Sequence, residues 1–366
     1  MKIVFYISSL NKGGAERVIS NLANYFSNDK KNEVYLILES PIVKYTISNN
    51  VHVITLEKSN KEYNLVTKKI RYIGYIYKLK KIFRKIKPDI IIPFLALPAF
   101  MALISRNKSS KVIIGVRNDP KTEYTTFLKK KMMHKLYPKA NGFVFQTKEA
   151  QAYFKQIINC KQTIIYNAVS DDFVNYTNDF KRRKKDIVAV GRLHKQKNYP
   201  ILIEAFTDIA KRYPNYKLVI YGEGPEKENI KKIISNNKIT DKVILAGNVD
   251  NIKDKISDAS LYVMTSDFEG MPNALIEAMV LGLPVISTDC PCGGPKELIN
   301  SGKNGILVGV NKKQELIGAM ERLLCDENFA NKLGDEARKI IKKVDPNIIY
   351  TQWDDFINLV ISGGIV

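Results

Sequence analysis

The chain has 366 residues, too many for one ordinary core and ample for two α/β domains of about 150–200 residues each. Hydrophobic residues make up 45% and charged residues 26%, a balance that excludes a disordered chain. The net charge of +21 is one-sided: residues 1–170 carry 30 Lys and Arg against 10 Asp and Glu, and residues 171–366 carry 28 against 27. A half so basic attracts phosphates, nucleic acid or an anionic membrane face, and a lysine-rich genome alone would load both halves alike.

In chain order, the apolar start at residues 2–8 is too short for a signal peptide and runs into the Gly13-Gly14 turn. Short Ile/Val-rich runs then alternate with helical patterns, the mark of parallel-sheet α/β architecture. Strands are predicted at 3–8, 34–38, 51–56, 90–93, 112–116, 142–145 and 163–166. Between them, residues 65–87 read as an amphipathic helix. At 100° per residue Arg71, Lys78, Lys81 and Lys85 share one arc, opposite Val66, Ile70, Ile73, Ile76 and Phe83, with Tyr72, Tyr75 and Tyr77 nearby. That basic stripe fits an interfacial helix or a track for pyrophosphate, and equally a lysine-rich surface. Lys129, Lys130, Lys131 and Lys135 form a second basic cluster. The longest apolar stretch, 90–104, falls short of a membrane span and holds Pro93 and Pro98, so it reads as a strand followed by a helix.

Residues 171–186, polar and ending in the basic run 181–185, read as a linker. Strands resume at 187–191, 217–221, 242–246, 261–265, 285–288 and 305–308. The expected organisation is a first doubly wound, Rossmann-like domain at 1–170, the linker, a second such domain at 187–344, and a C-terminal helix at 345–366 packing back on the first. In sheets of this kind ligands bind beyond the C-terminal strand ends, so a cleft between two facing domains is expected. Cys160, Cys290, Cys292 and Cys325 show no C-x-x-C spacing, and with only His52, His134 and His194 a metal site is not expected. The chain reads as reduced and cytoplasmic.

Three segments carry chemistry. Residues 267–277, DFEGMPNALIE, follow a strand and open a helix near Pro272. Main-chain N–H groups of Met271, Pro272's neighbour Asn273 and Ala274 would point out of that helix start and suit a diphosphate, just beyond Gly270. Glu269 and Glu277 cannot bind phosphate, but they accept hydrogen bonds from sugar hydroxyls. Residues 190–198, VGRLHKQKN, begin where the first strand of the second domain ends. Arg192 offers a planar fork and Lys197 a mobile charge, a pair suited to adjacent phosphates, while Gly191 lets the chain turn beside Asn198. Gly222, Gly224 and Gly247, with Asn248 and Val249, sit at the ends of the next two strands, where the main chain can approach a base or a ribose.

The ordered set Gly13-Gly14, Gly191-Arg192 with Lys197-Asn198, Gly222-Glu223-Gly224, and Glu269 followed by Glu277 resembles the GT-B-fold retaining glycosyltransferases of family four, over essentially the whole chain. The resemblance implies that Arg192 and Lys197 hold the donor diphosphate, Glu269 the transferred sugar and Glu277 the ribose. It further implies that main chain near 247–249 meets the base, that Gly14 faces the reaction centre, and that no metal or other cofactor takes part. Similar bacterial enzymes use a helix like 65–87 to guide a polyprenyl-pyrophosphate acceptor. The implied activity is transfer of a hexose or N-acetylhexosamine from a UDP-linked donor to a lipid-linked or other saccharide acceptor, on the inner face of the cell membrane. Many relatives carry a histidine after the fifth strand; here Val116-Arg117-Asn118-Asp119 stands there, with Arg117 or Asn118 in its place.

Two rivals remain at this level: an epimerase of the same fold acting on a nucleotide-sugar, and a basic nucleic-acid-binding protein. The second leaves the paired glutamates unexplained and has no recognisable nucleic-acid module, so no nucleic-acid partner is expected. A Rossmann dehydrogenase fails, because Gly13-Gly14 lacks the Gly-x-Gly-x-x-Gly spacing.

Overall fold

The structure, a computed structural model, describes residues 1–11, 13–58, 65–176 and 183–363, with backbone alone for 65–70. Two compact units emerge: Met1–Ala168 together with Asn347–Val366, and the contiguous Val169–Pro346.

The first unit holds β1 (Lys2–Ile7), β2 (Glu33–Leu38), β3 (Val51–Thr55), β4 (Ile90–Pro93), β5 (Lys111–Gly115), β6 (Gly142–Phe145) and β7 (Lys161–Ile164), all parallel, in the order β3-β2-β1-β4-β5-β6-β7. Its central strands are buried on both faces, so they read as unbroken apolar runs: all four residues of β4 are buried. The second unit holds β8 (Lys184–Val190), β9 (Lys217–Tyr221), β10 (Val243–Gly247), β11 (Ala259–Met264), β12 (Val285–Thr288) and β13 (Ile306–Val308), also parallel, in the order β10-β9-β8-β11-β12-β13. Both are Rossmann-like α/β sheets, as expected. In each, the strand order reverses once, between β1 and β4 and between β8 and β11.

Local boundaries shift where neighbours decide them. Strand β7 starts two residues before its predicted start because Lys161 pairs with Gly142. The predicted linker is partly structured: Asp171–Val174 forms a helical turn and Lys184 already belongs to β8, beside Ala259. Residues 177–182 of that segment, including Lys181 and Arg182, lie outside the described residues.

The last helix, Pro346–Ser362, contributes Ile349, Trp353, Phe356, Ile357 and Val360 to the core of the first unit. Trp353 is fully buried against Phe94, and a Cβ on Gly142 would already touch Val360 and Phe356, so the helix lies close on β6.

The helix Leu65–Ile86 matches its prediction in extent but not in orientation. It buries Tyr75, Leu79, Phe83 and Ile86, at steps of four, four and three, while Ile73, placed on the apolar arc by composition, is 70% exposed. Turning the wheel this way takes Arg71 out of the basic stripe. It is half-buried, 4.0 Å from Glu57, with its guanidinium over the rings of Tyr72 and Tyr75. Lys78, Lys81 and Lys85 stay exposed, Lys78 donating to Leu56 O at 2.6 Å. The outermost ridge carries Ile73, Tyr77, Lys80, Lys81 and Arg84. Val66 and Ile70 lie where side chains are not described. Among the described residues no helix is long and apolar enough to cross a membrane.

Candidate active site

The crevice of a doubly wound sheet opens where the strand order reverses, so in the second unit the loops leaving β8 and β11 are the place to look. These two loops are sewn together. Thr265 Oγ1 donates to Lys197 O (3.0 Å) and Asn198 O (3.1 Å), and Asn198 Nδ2 donates to Asp267 Oδ1 (2.7 Å). Gln196 Nε2 donates to Phe268 O (2.8 Å), and the Asp267 N–H returns to Gln196 O (2.8 Å). Asn198 adopts the left-handed conformation, φ 46°, which a small polar side chain tolerates and which ends the turn into the helix Tyr199–Arg212.

The stitching brings Lys197 Nζ within 2.6 Å of Glu269 Oε1, an ion pair whose side chains are only 16% and 10% exposed. Ser266 Oγ donates to the same oxygen at 2.9 Å, so a cation and a carboxylate are held side by side at the sheet edge. Burial, and after it the Glu269 charge, raises the Tyr199 hydroxyl and pushes the Cys290 thiol up to about 12, so neither ionises near neutrality.

Glycines let the remaining loops close in. A Cβ on Gly222 would lie 2.0 Å from Gly191 O, and one on Gly224 2.3 Å from Leu193 O. The Gly222 N–H donates to Gly247 O at 2.8 Å, and Gly247 itself has φ +71°. These glycines thus stack main chain on main chain along the sheet edge, a packing reason for them that holds without any ligand. Asn248 is exposed and Val249 half-buried beyond β10.

The loop after β12 was missed by sequence reasoning. Glu269 N–H donates to Pro291 O (2.6 Å), Glu269 O accepts from Cys292 N–H (2.9 Å), and a Cβ on Gly294 would lie 1.6 Å from Gly270 O. Adjacent Gly293 and Gly294 soon after a strand were the available signal; Ser266 offered none. The helix Asn273–Val280 begins one residue later than expected, with Pro272 at its N-cap. Gly270, Met271, Pro272 and Glu277 are buried, whereas Asn273 and Ala274 are half-buried. Arg192 is exposed and, among the described residues, has no ion pair, so the structure does not join it to Lys197 and Glu269.

In the first unit Gly14 opens the helix Gly14–Ser27 soon after β1, its neighbour Gly13 accepting from Tyr45 OH at 2.8 Å. Arg117 is buried just past β5 and Asn118 is half-buried beside it. Among the described residues no group of three or more His, Cys, Asp or Glu side chains gathers as a metal centre would require.

Residues 12–173 match the family model described as Glycosyltransferase Family 4, and residues 175–340 that described as Glycosyl transferases group 1. An uncharacterized glycosyltransferase of Methanocaldococcus jannaschii is 31% identical over 291 residues, covering 72% of this chain and 70% of its own length. The N-acetylgalactosamine-N,N'-diacetylbacillosaminyl-diphospho-undecaprenol 4-alpha-N-acetylgalactosaminyltransferase of Campylobacter jejuni is 29% identical over 357 residues, 94% of this chain and 96% of the relative. Among solved structures, a point mutant of Staphylococcus aureus TarM in complex with fondaparinux, alpha-GlcNAc-glycerol and UDP superposes with a TM-score of 0.78 at 17% identity, covering 98% of this chain and 99% of that one.

Proposed function

The chain belongs to the glycosyltransferases, with the GT-B fold, and from that premise we propose that it is a retaining, metal-independent hexosyltransferase. It moves a hexose or N-acetylhexosamine from a UDP-linked donor to a polyprenyl-pyrophosphate-linked saccharide, in the synthesis of bacterial surface polysaccharide. The observation that carries this reading is the largely shielded Lys197–Glu269 pair at the reversal point of the second sheet. Lys197, with Arg192 swinging in from solvent, offsets the charge that grows on the diphosphate as the bond from sugar to phosphate breaks. Glu269 keeps lone pairs for the sugar's hydroxyls, and Glu277 reaches the ribose from within its helix. The UDP in TarM supports the choice of donor base, and the undecaprenol-linked substrate named for the Campylobacter relative supports the acceptor class.

A panel of UDP-sugars assayed with a polyprenyl-pyrophosphate saccharide, in the presence of EDTA, tests this. Turnover with retained anomeric configuration in the NMR spectrum of the product is expected. Activity abolished by EDTA and restored by Mn²⁺, or an inverted product, would overturn the mechanism.

The first unit works, on this reading, at the cytoplasmic face of the cell membrane. Support comes from the excess of Lys and Arg in residues 1–170 and from apolar side chains exposed among them. Ile73 and Tyr77 (70% and 73% exposed) neighbour Lys80, Lys81 and Arg84, and Phe127 and Leu128 (81% and 62%) precede Lys129–Lys131 on the helix Phe127–Leu136. Apolar side chains ringed by lysines suit the boundary between headgroups and acyl chains. At about 1 kcal/mol per basic residue, changing Lys78, Lys81 and Lys85 together to Gln is expected to weaken sedimentation with anionic liposomes about 100-fold at low salt. Wild-type sedimentation of that variant would reduce the lysines to a solvated surface.

A further inference from the structure

Four consecutive strands of the first sheet each deliver one buried side chain just beyond their C-terminal ends: Phe94 after β4, Arg117 after β5, Gln146 after β6 and Asn167 after β7. Arg117 is 8% exposed, its guanidinium 4.2 Å from the centroid of Phe94 and 5.3 Å from that of Trp353. Nη1 donates to Asn167 Oδ1 at 3.3 Å, an oxygen that also accepts from Gln146 Nε2. Among the described residues, Nε and Nη2 are buried without a hydrogen-bond partner, and so is Trp353 Nε1. Burial pulls the Arg117 pKa down to about 9.

A buried charge is almost always paired, because losing its hydration without compensation is costly. Here the unpaired groups are all donors, and two of them are special. Nε and Nη2 form one edge of the guanidinium, with parallel N–H bonds spaced to meet the two oxygens of a carboxylate or two oxygens of a phosphate. The sheet edge that carries them is the edge at which doubly wound domains take their ligands. We infer that Arg117, flanked by Trp353 Nε1, recognises an anionic oxygen group, carboxylate or phosphate, on the saccharide ligand of the first unit. The inference rests on the reading of this unit as the acceptor-binding half. It makes Arg117 a specificity determinant that selects acidic or phosphorylated saccharides over neutral ones.

Trp353 is the sole tryptophan of the chain, so its fluorescence reports on this place alone. The intact protein is titrated with sodium glucuronate, inorganic pyrophosphate and glucose. A saturable change with glucuronate assigns a sugar carboxylate, one with pyrophosphate assigns the phosphate of a lipid-linked acceptor, and glucose leaves the spectrum unchanged. Arg117→Met removes the response while its melting temperature stays equal to wild type or rises by a few degrees, since a buried cation with only part of its hydrogen bonds made has been deleted. Arg117→Lys keeps the charge without the paired edge, and its half-saturation concentration rises about tenfold or more. The inference is overturned by an equal response to glucose, by a response that survives in Arg117→Met, or by silence with both anions. Hydrolysis of UDP-sugar by the same preparation separates the two readings: hydrolysis with a silent Trp353 sinks this inference alone, and a responsive Trp353 without hydrolysis sinks the proposed UDP-linked donor instead.

Discussion

Changing Lys197 to Ala is expected to lower kcat/KM by about 30- to 1000-fold, the roughly 2–4 kcal/mol that one preorganised cation supplies to a developing anion. A second effect accompanies it. Glu269, 10% exposed, would lose the cation 2.6 Å away and stay buried, near enough to Cys290 and Tyr199 for its charge to act on both. Breaking a fully buried pair costs about 3–5 kcal/mol; the residual exposure here reduces that to roughly 2–4 kcal/mol. The two effects can be pulled apart. Lys197→Met combined with Glu269→Gln removes both charges, so thermal unfolding should recover most of the lost stability while turnover stays low. If the double variant recovers its rate as well, the pair is a structural strut and the diphosphate is held elsewhere.

Glu269→Gln and Glu277→Gln are expected to fail in different ways. Glu269 lies in the loop, held through its own main chain to Pro291 and Cys292, and on our reading it touches only the transferred sugar. Its amide variant should lose about 100-fold in turnover and bind free UDP nearly as well as wild type. Glu277 is buried inside the helix Asn273–Val280 and is assigned the ribose. Its amide variant should weaken UDP binding by about 1–3 kcal/mol, or roughly 5- to 150-fold in Kd, in calorimetry without any sugar present. Matching UDP affinities in the two variants would refute the division of labour.

Much of the fold could be read from the sequence because parallel strands are buried on both faces and so announce themselves as apolar runs. Strands β4, β6, β9 and β12 fall where the Ile/Val pattern puts them. The helix Leu65–Ile86 shows the limit. Its periodicity is real, but which face is buried depends on what packs against it, and Tyr75 and Leu79 rather than Ile73 meet the neighbouring layer. The amphipathic tyrosines made the two faces nearly equal in composition, so the wheel alone could not choose. At the candidate site, the individual residues were legible from strand ends and glycines. Their pairing was not, because Lys197 and Glu269 are 72 positions apart and meet only through bonds such as Thr265 to Lys197 O. The support from Gly294 was hidden for the same reason: it acts on Gly270 from the far side of another strand.

The placement of the helix Pro346–Ser362 bears on how the molecule is made. Ile349, Trp353, Phe356, Ile357 and Val360 belong to a core whose members outside this helix lie before residue 169. During synthesis the ribosome delivers that first part early, and it then waits, with the bed for Trp353 open to water, until the contiguous second unit and the helix Pro346–Ser362 have followed it out. The contiguous unit Val169–Pro346 has no such wait. The part translated second can therefore complete its core before the part translated first. For the same reason, a nonsense codon only a few residues upstream of Trp353 would spare the loops around Lys197 and Glu269 and still leave the first sheet unfinished.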